Sequence, residues 1–128
     1  MTNACLIIIG NEILSGRTQD LNLAFLGRHL NDIGVRLTEA RVIADDTETI
    51  VETVNACRAK YDYVFTTGGI GPTHDDITSA AIAKAFNLKL VRNSEALSLL
   101  SLHYTNPSDL NDQRLKMCDM PEGAVLID

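Results

Sequence analysis

Tyr63-Val64-Phe65-Thr66-Thr67-Gly68-Gly69-Ile70-Gly71-Pro72-Thr73-His74-Asp75-Asp76-Ile77-Thr78 reads as a short β-type run entering a glycine-rich loop, with a helix behind it that carries two aspartates in its first turn. Glycines let backbone N–H groups close in on a ligand, and a helix start attracts anions. Phosphate is the natural guest of such a loop. Asp75 and Asp76 would repel a bare phosphate, so they point to a metal ion or a proton-transfer role. The spacing Gly-Gly-x-Gly differs from the dinucleotide-binding fingerprint. Thr73 and Asp76 also fit a capping box, which by itself needs no function.

Working outward, Ala4 to Ile9 is a continuous apolar run ended by Gly10, as expected of a buried parallel strand. From Asp20 to Ile33 the spacing is helical, with Leu23, Leu26, Leu30 and Ile33 on one face and Gly34 as the stop. Val35 to Ile43 predicts a second strand. Asp45 and Asp46 form a polar turn, Thr47 is the expected N-cap, and Ile50, Val54 and Cys57 form the inner face of the next helix. Tyr61 to Thr67 predicts the third strand and Ile77 to Phe86 an alanine-rich helix ended by Asn87. This alternation implies right-handed crossovers, an α/β fold with a mostly parallel sheet, helices on both faces and a ligand site at the carboxyl ends of the strands. Beyond it, Leu88 to Val91 predicts a short strand, Ser94 to Tyr104 a helix opened by Ser94, Leu110 to Cys118 a short helix, and Ala124 to Ile127 the start of a strand after the turn Pro121-Glu122-Gly123.

The 128 residues suit one domain with one core. A formal net charge of -6 argues against a general binder of nucleic acid or of acidic membranes, but not against a small anion held by backbone amides. Cys5, Cys57 and Cys118 are far apart and odd in number, so their spacing suggests neither a disulfide framework nor a zinc site, and free thiols in a reducing cytoplasm are expected. No signal peptide is visible, and the Ala4–Ile9 run is too short to span a bilayer.

Two more clusters fall at the same expected sheet edge. After the first strand comes Gly10-Asn11-Glu12-Ile13-Leu14-Ser15-Gly16-Arg17-Thr18, in which Asn11 and Glu12 suit ribose hydroxyls, a base or a metal, and Ser15 to Thr18 suit phosphate. It reads equally well as a solvated loop. Asp45 and Asp46 follow the second strand and alone would be an ordinary acidic turn. Three acidic clusters at one edge weigh more, because gathered carboxylates cost electrostatic energy unless a cation or substrate offsets it. His74 suits a general base or a phosphate contact, and suits an exposed loop residue slightly better.

These residues carry a family resemblance over essentially the whole chain. Thr66 to Thr78 resembles the signature of the molybdenum-cofactor biosynthesis (molybdopterin-binding) domain superfamily. The Pro72-Thr73-His74-Asp75-Asp76 form, with Gly10 to Gly16 and Met120-Pro121-Glu122-Gly123-Ala124, is most similar to the branch of competence/damage-inducible protein A (CinA). The resemblance implies a three-layer α/β/α domain spanning residues 1–128 and continuing beyond Asp128 into a further glycine-bearing loop. It implies divalent-metal-dependent hydrolysis of ADP-ribose to AMP and ribose 5-phosphate, by Mg2+ or a similar ion. The alternative is a molybdopterin- or nucleotide-binding domain without hydrolysis. Carried over by motif, the aspartates of catalysis would be Asp76 and Asp45, and Asp75 joins them from the loop reading. Metal ligation is expected of Asp75, Asp76 and Glu12. Substrate contacts are expected of Gly10, Asn11, Glu12, Ser15, Gly16, Thr67, Gly68, Gly69, Gly71, Pro72, Thr73 and Thr78. A homo-oligomer, dimer or trimer, is implied as well. The nicotinamide-mononucleotide deamidase domain that accompanies such domains has no counterpart in these residues.

Overall fold

The structure, a computed structural model, describes residues 2–127. Strand β1, Asn3–Ile9, is buried from Ala4 onward, as a run without a polar side chain must be. It lies at the centre of a three-stranded parallel sheet, between β2, Arg36–Ile43, and β3, Tyr63–Thr67. The β1 to β2 crossover carries the short helix α1, Asn11–Leu14, and α2, Asn22–Asp32; the β2 to β3 crossover carries α3, Thr47–Lys60. Helix α4, Thr78–Ala85, follows the glycine loop.

Strand alternation divides β1 between two faces. Cys5, Ile7 and Ile9 pack with Ile50, Val54 and Cys57 of α3 and with Ala81 and Ala85 of α4, forming the main core. Ala4, Leu6 and Ile8 point to the other face, where α2 packs along β2 and Leu30 is its buried residue. Burial first, then Cys57 beside it, pushes the Cys5 thiol up to about 12, so this thiol stays neutral inside the core. All three cysteines are free and buried.

The first two thirds of the chain follow the expected order, with local corrections. Asp46, not Thr47, caps α3: its carboxylate accepts from the Thr49 N–H at 3.0 Å, because the longer acidic side chain reaches the first turn from one residue earlier. Leu23 and Ile33, expected on one face with Leu26 and Leu30, are 42% and 63% exposed, since α2 buries only a narrow stripe. Gly34, at φ +84°, does end that helix region, with its N–H on the Asn31 carbonyl. Helix α4 begins at Thr78, so Asp75 and Asp76 lie in the loop before it rather than in its first turn.

The last third differs more. A second, two-stranded antiparallel sheet pairs β4, Leu90–Arg92, with β5, Asp119–Pro121. Between them lie α5, Ser94–Ser101, the short helix α6, Asp112–Leu115, and 3-10 turns at Pro107–Asp109 and Lys116–Cys118. Asn93, not Ser94, caps α5 by accepting from the Ala96 N–H. The strand expected at Ala124 to Ile127 does not form; pairing falls on Asp119–Pro121, where β4 supplies a partner, whereas Val125 and Ile127 are almost fully exposed. Asp128 lies outside the described residues. Among those described, no helix is long and apolar enough to cross a membrane.

Candidate functional site

The three parallel strands end side by side, and each runs into one of the three clusters singled out above. Gly10 donates its N–H to the Ile43 carbonyl at 3.0 Å, which ties the first loop to the end of β2. The Asn11 side chain then accepts from the Asp45 N–H at 3.3 Å, bringing the second cluster against the first.

The glycine loop follows β3. Gly68 and Gly69 adopt φ +93° and +68°, conformations in which a side chain is strained, and a Cβ would strike the Ile9 carbonyl at Gly68 and the Thr78 hydroxyl at Gly69. Thr78, buried at the start of α4, holds the turn: its hydroxyl donates to the Gly68 carbonyl at 2.8 Å and its N–H to the Gly69 carbonyl at 3.1 Å. At Gly71 a Cβ would come within 2.8 Å of Asp76 Oδ2. That same oxygen accepts from the Thr73 N–H at 2.9 Å and the Thr73 hydroxyl at 2.7 Å, closing a small ring in the loop.

A cavity of about 490 Å3 opens where these segments meet, lined by Ile9, Asn11, Glu12, Arg17, Asp45, Gly69, His74, Asp75, Asp76 and Ile77. Four carboxylates surround it. Asp45 is the most constrained: its Oδ1 is buried and has no hydrogen-bond partner, the one such side-chain atom among the described residues. Burial, then the negative charges of Glu12, Asp75 and Asp76, holds its carboxyl above the ordinary range, against a backbone hydrogen bond from Asn11. Asp76 goes the other way. Burial raises it, but the Thr73 hydroxyl and N–H, the Gly71 N–H and the charge of Lys116 together carry it below the ordinary range. Two carboxylates of one cavity are thus driven apart in acidity, the usual arrangement where one takes up a proton and the other stays ionised.

Of the remaining expected residues, Thr67 and Gly68 line an adjoining cavity of about 360 Å3 that shares Ile9 and Glu12 with the first. Gly71 lines a third, of about 280 Å3, on the far side of Asp76. Gly10 lies behind the site and shapes it through its backbone. Ser15 and Gly16 are exposed and line none of the three cavities; the Ser15 hydroxyl donates to the Glu12 carbonyl. Pro72 and Thr73 are exposed as well, and Thr73 serves the loop through Asp76. His74 reaches the cavity rim at 91% side-chain exposure, its Nε2 3.4 Å from Asp75 Oδ1.

One contributor carried no signal in the sequence. Lys116, in the turn before β5, donates to the Thr73 carbonyl and brings positive charge to Asp76. It lies 43 positions from Thr73, and nothing local marks it among the other lysines.

The donor set suits a hard, oxygen-seeking divalent ion. Among the described residues, however, no three of these carboxylates bring ligand atoms within 4.8 Å of one another. These carboxylates are therefore spread around the cavity and not gathered into one ligand cluster. Mg2+ is commonly held through one or two carboxylates together with water and substrate phosphates.

Residues 5–120 match the family described as a probable molybdopterin binding domain. A protein from Pyrobaculum calidifontis is 40% identical over 98% of this chain and 48% of its own length. The chain spans about half the length of the curated relatives it matches. Among solved structures, a Thermoplasma acidophilum protein described as CinA with unknown function superposes with a TM-score of 0.87 at 37% identity, over 94% of this chain and 71% of that one. The tungsten cofactor synthesizing protein MoaB of Pyrococcus furiosus superposes at 0.61 and 21% identity, over 81% and 63%, a likeness of fold.

Proposed function

The chain belongs to the probable molybdopterin binding domain family, among its CinA-like members, and from that premise we propose that it hydrolyses the diphosphate of ADP-ribose or a similar nucleotide with a divalent metal ion. The observation that carries this reading is Asp45 Oδ1: a buried carboxylate oxygen without a partner, at a cavity where three further carboxylates gather. A folded chain keeps such an atom at a cost, and a substrate with its counter-ion relieves it.

In this reading the glycine loop, from Gly68 to Gly71, holds the diphosphate by backbone N–H groups, and Arg17, which lines the same cavity as Gly69, adds positive charge. The ion is held by one or two of Glu12, Asp75 and Asp76, with water and the substrate phosphates completing its shell. Asp76 also shapes the loop, because its Oδ2 is engaged by Thr73. When bound, the ion neutralises phosphate charge. Asp45, with its raised proton affinity, takes the proton of the attacking water. Water adds to one phosphorus, the bond to the bridging oxygen breaks, and AMP and ribose 5-phosphate leave. Asn11 orients Asp45 through its backbone, and Lys116 steadies the loop from the opposite side. A homo-oligomer, dimer or trimer, belongs to the same proposal, as do a cytoplasmic location and the activity of any longer protein built on this domain.

The test is AMP release from ADP-ribose with Mg2+, with and without chelator. Metal-dependent AMP supports the hydrolase. Saturable binding of nucleotide or molybdopterin by folded protein that carries every segment its relatives share, with no AMP, would replace it with the binding-domain reading.

A further inference from the structure

The proposed reaction uses none of three ionisable groups further back along the same strands. Cys5 of β1, Glu39 of β2 and Cys57 of α3 place two sulfurs and a carboxylate oxygen within 4.8 Å of one another, the one such trio among the described residues. Both thiols are fully buried, with Sγ atoms 3.4 Å apart and the Cys5 S–H donating to Cys57. Glu39 is the register partner of Cys5 only because the β1–β2 pairing shifts by one residue between Ala4 and Cys5. Without that shift Thr38 would stand opposite Cys5 and Glu39 would turn to the other face.

We propose that Cys5, Cys57 and Glu39 form a site for one thiophilic divalent cation of the zinc class. Two sulfurs on one tetrahedral ion, each about 2.3 Å from it, stand about 3.8 Å apart. The pair needs to open by only a few tenths of an ångström to match. A disulfide would require closure to about 2.05 Å between a central strand and a packed helix. Loading exchanges two thiol protons for the dication, so the sulfur–metal unit is neutral and the Glu39–Arg41 ion pair keeps its own balance. The carboxylate is already aimed: Glu39 Oε1 accepts from the Tyr61 hydroxyl at 2.7 Å and from Arg41 Nη2 at 3.2 Å, the kind of support that metal-bound carboxylates require. The Glu39 side chain is 32% exposed, so the carboxylate edge of the trio faces the surface while both sulfurs are buried. Sulfur donors separate this site from the oxygen-lined cavity, and it stands independently of the proposed hydrolysis.

The experiment is titration of the full reduced chain with Co2+ as a coloured stand-in for Zn2+. The expected result is a sulfur-to-cobalt charge-transfer absorption that saturates at one equivalent and is discharged by Zn2+. Carboxylates elsewhere give no such band. Cys57→Ser abolishes it, Glu39→Gln weakens Co2+ binding at least about tenfold, and Cys118→Ser and Asp45→Asn leave it in place. Circular dichroism checks each fold; should Cys57→Ser unfold, Glu39→Gln and Tyr61→Phe decide, both weakening the band. No band in folded, reduced protein overturns the site. So does a band untouched by Glu39→Gln, or a Cys5–Cys57 disulfide formed in place of ion binding.

Discussion

Two clusters of ionisable groups share strands β1 and β2 and are treated differently by the fold. At the carboxyl ends, Asp45 stands with Glu12, Asp75 and Asp76 around an open cavity, and its buried oxygen lacks a partner. Farther back, Cys5, Cys57 and Glu39 lie against the core, where the thiols share a hydrogen bond and the carboxylate accepts from Tyr61 and Arg41. One end concentrates like charge; the other sets hydrogen bonds between thiols and around the Glu39 carboxylate. The difference separates an oxygen-lined site open to an anionic ligand from a sulfur-lined cluster set into the packed core.

Substitutions at the two ends should therefore part activity from stability. The largest effect is expected for Asp45→Asn, which should lower metal-dependent AMP release about 10²–10⁴-fold, the range for loss of a general base, with the fold intact by circular dichroism. Retained turnover would remove the contrast at its strongest point. Ile50→Ala, in the core beside Cys5 and Cys57, should do the reverse. Urea titration should show a loss of about 2–5 kcal/mol, with turnover near normal at a temperature where the variant is folded.

Gly68→Ala tests the boundary between the two. Its φ of +93° and the Ile9 carbonyl in the path of a Cβ predict a loss of about 1–3 kcal/mol, together with a raised KM. A change in stability alone would assign the glycine to the framework and not to the ligand.

The smallest effect is one of pH. Folding raises the Asp45 carboxyl above its ordinary value, so between those two values the folded state holds more protons than the unfolded one. Stability of the metal-free protein should then fall as pH rises through that window and stay lower above it. Melting curves in chelator should show this slope in the natural chain and a flatter profile, with a slightly higher plateau, in Asp45→Asn. Added Mg2+ should narrow the gap. Equal slopes would mean that the crowding at Asp45 costs the fold nothing.

Much of the sheet was legible because its signals are local. The apolar run from Ala4 to Ile9, the helical stripe ending at Gly34 and the glycines before Thr78 each state their conformation within a dozen residues. The candidate site was legible to the same extent, since parallel strands bring three successive loops to one edge. Ser15 and Gly16 were read into it from their neighbours, but α1 turns that segment outward. The final third was misread where an apolar run, Ala124 to Ile127, had the composition of a strand and β4 paired instead with Asp119–Pro121.

The sequence by itself determined the parallel α/β order, the glycine loop and the meeting of acidic clusters at one edge, because steric freedom, apolar periodicity and crossover handedness act over short stretches. Only the tertiary structure decided that Asp45 keeps a buried oxygen without a partner, that Lys116 reaches Thr73, and that a one-residue shift turns Glu39 toward Cys5 and Cys57. Those facts join residues 18 to 43 positions apart, or depend on what packs around a single atom. Burial and register are properties of the assembled layers, and no local pattern encodes them.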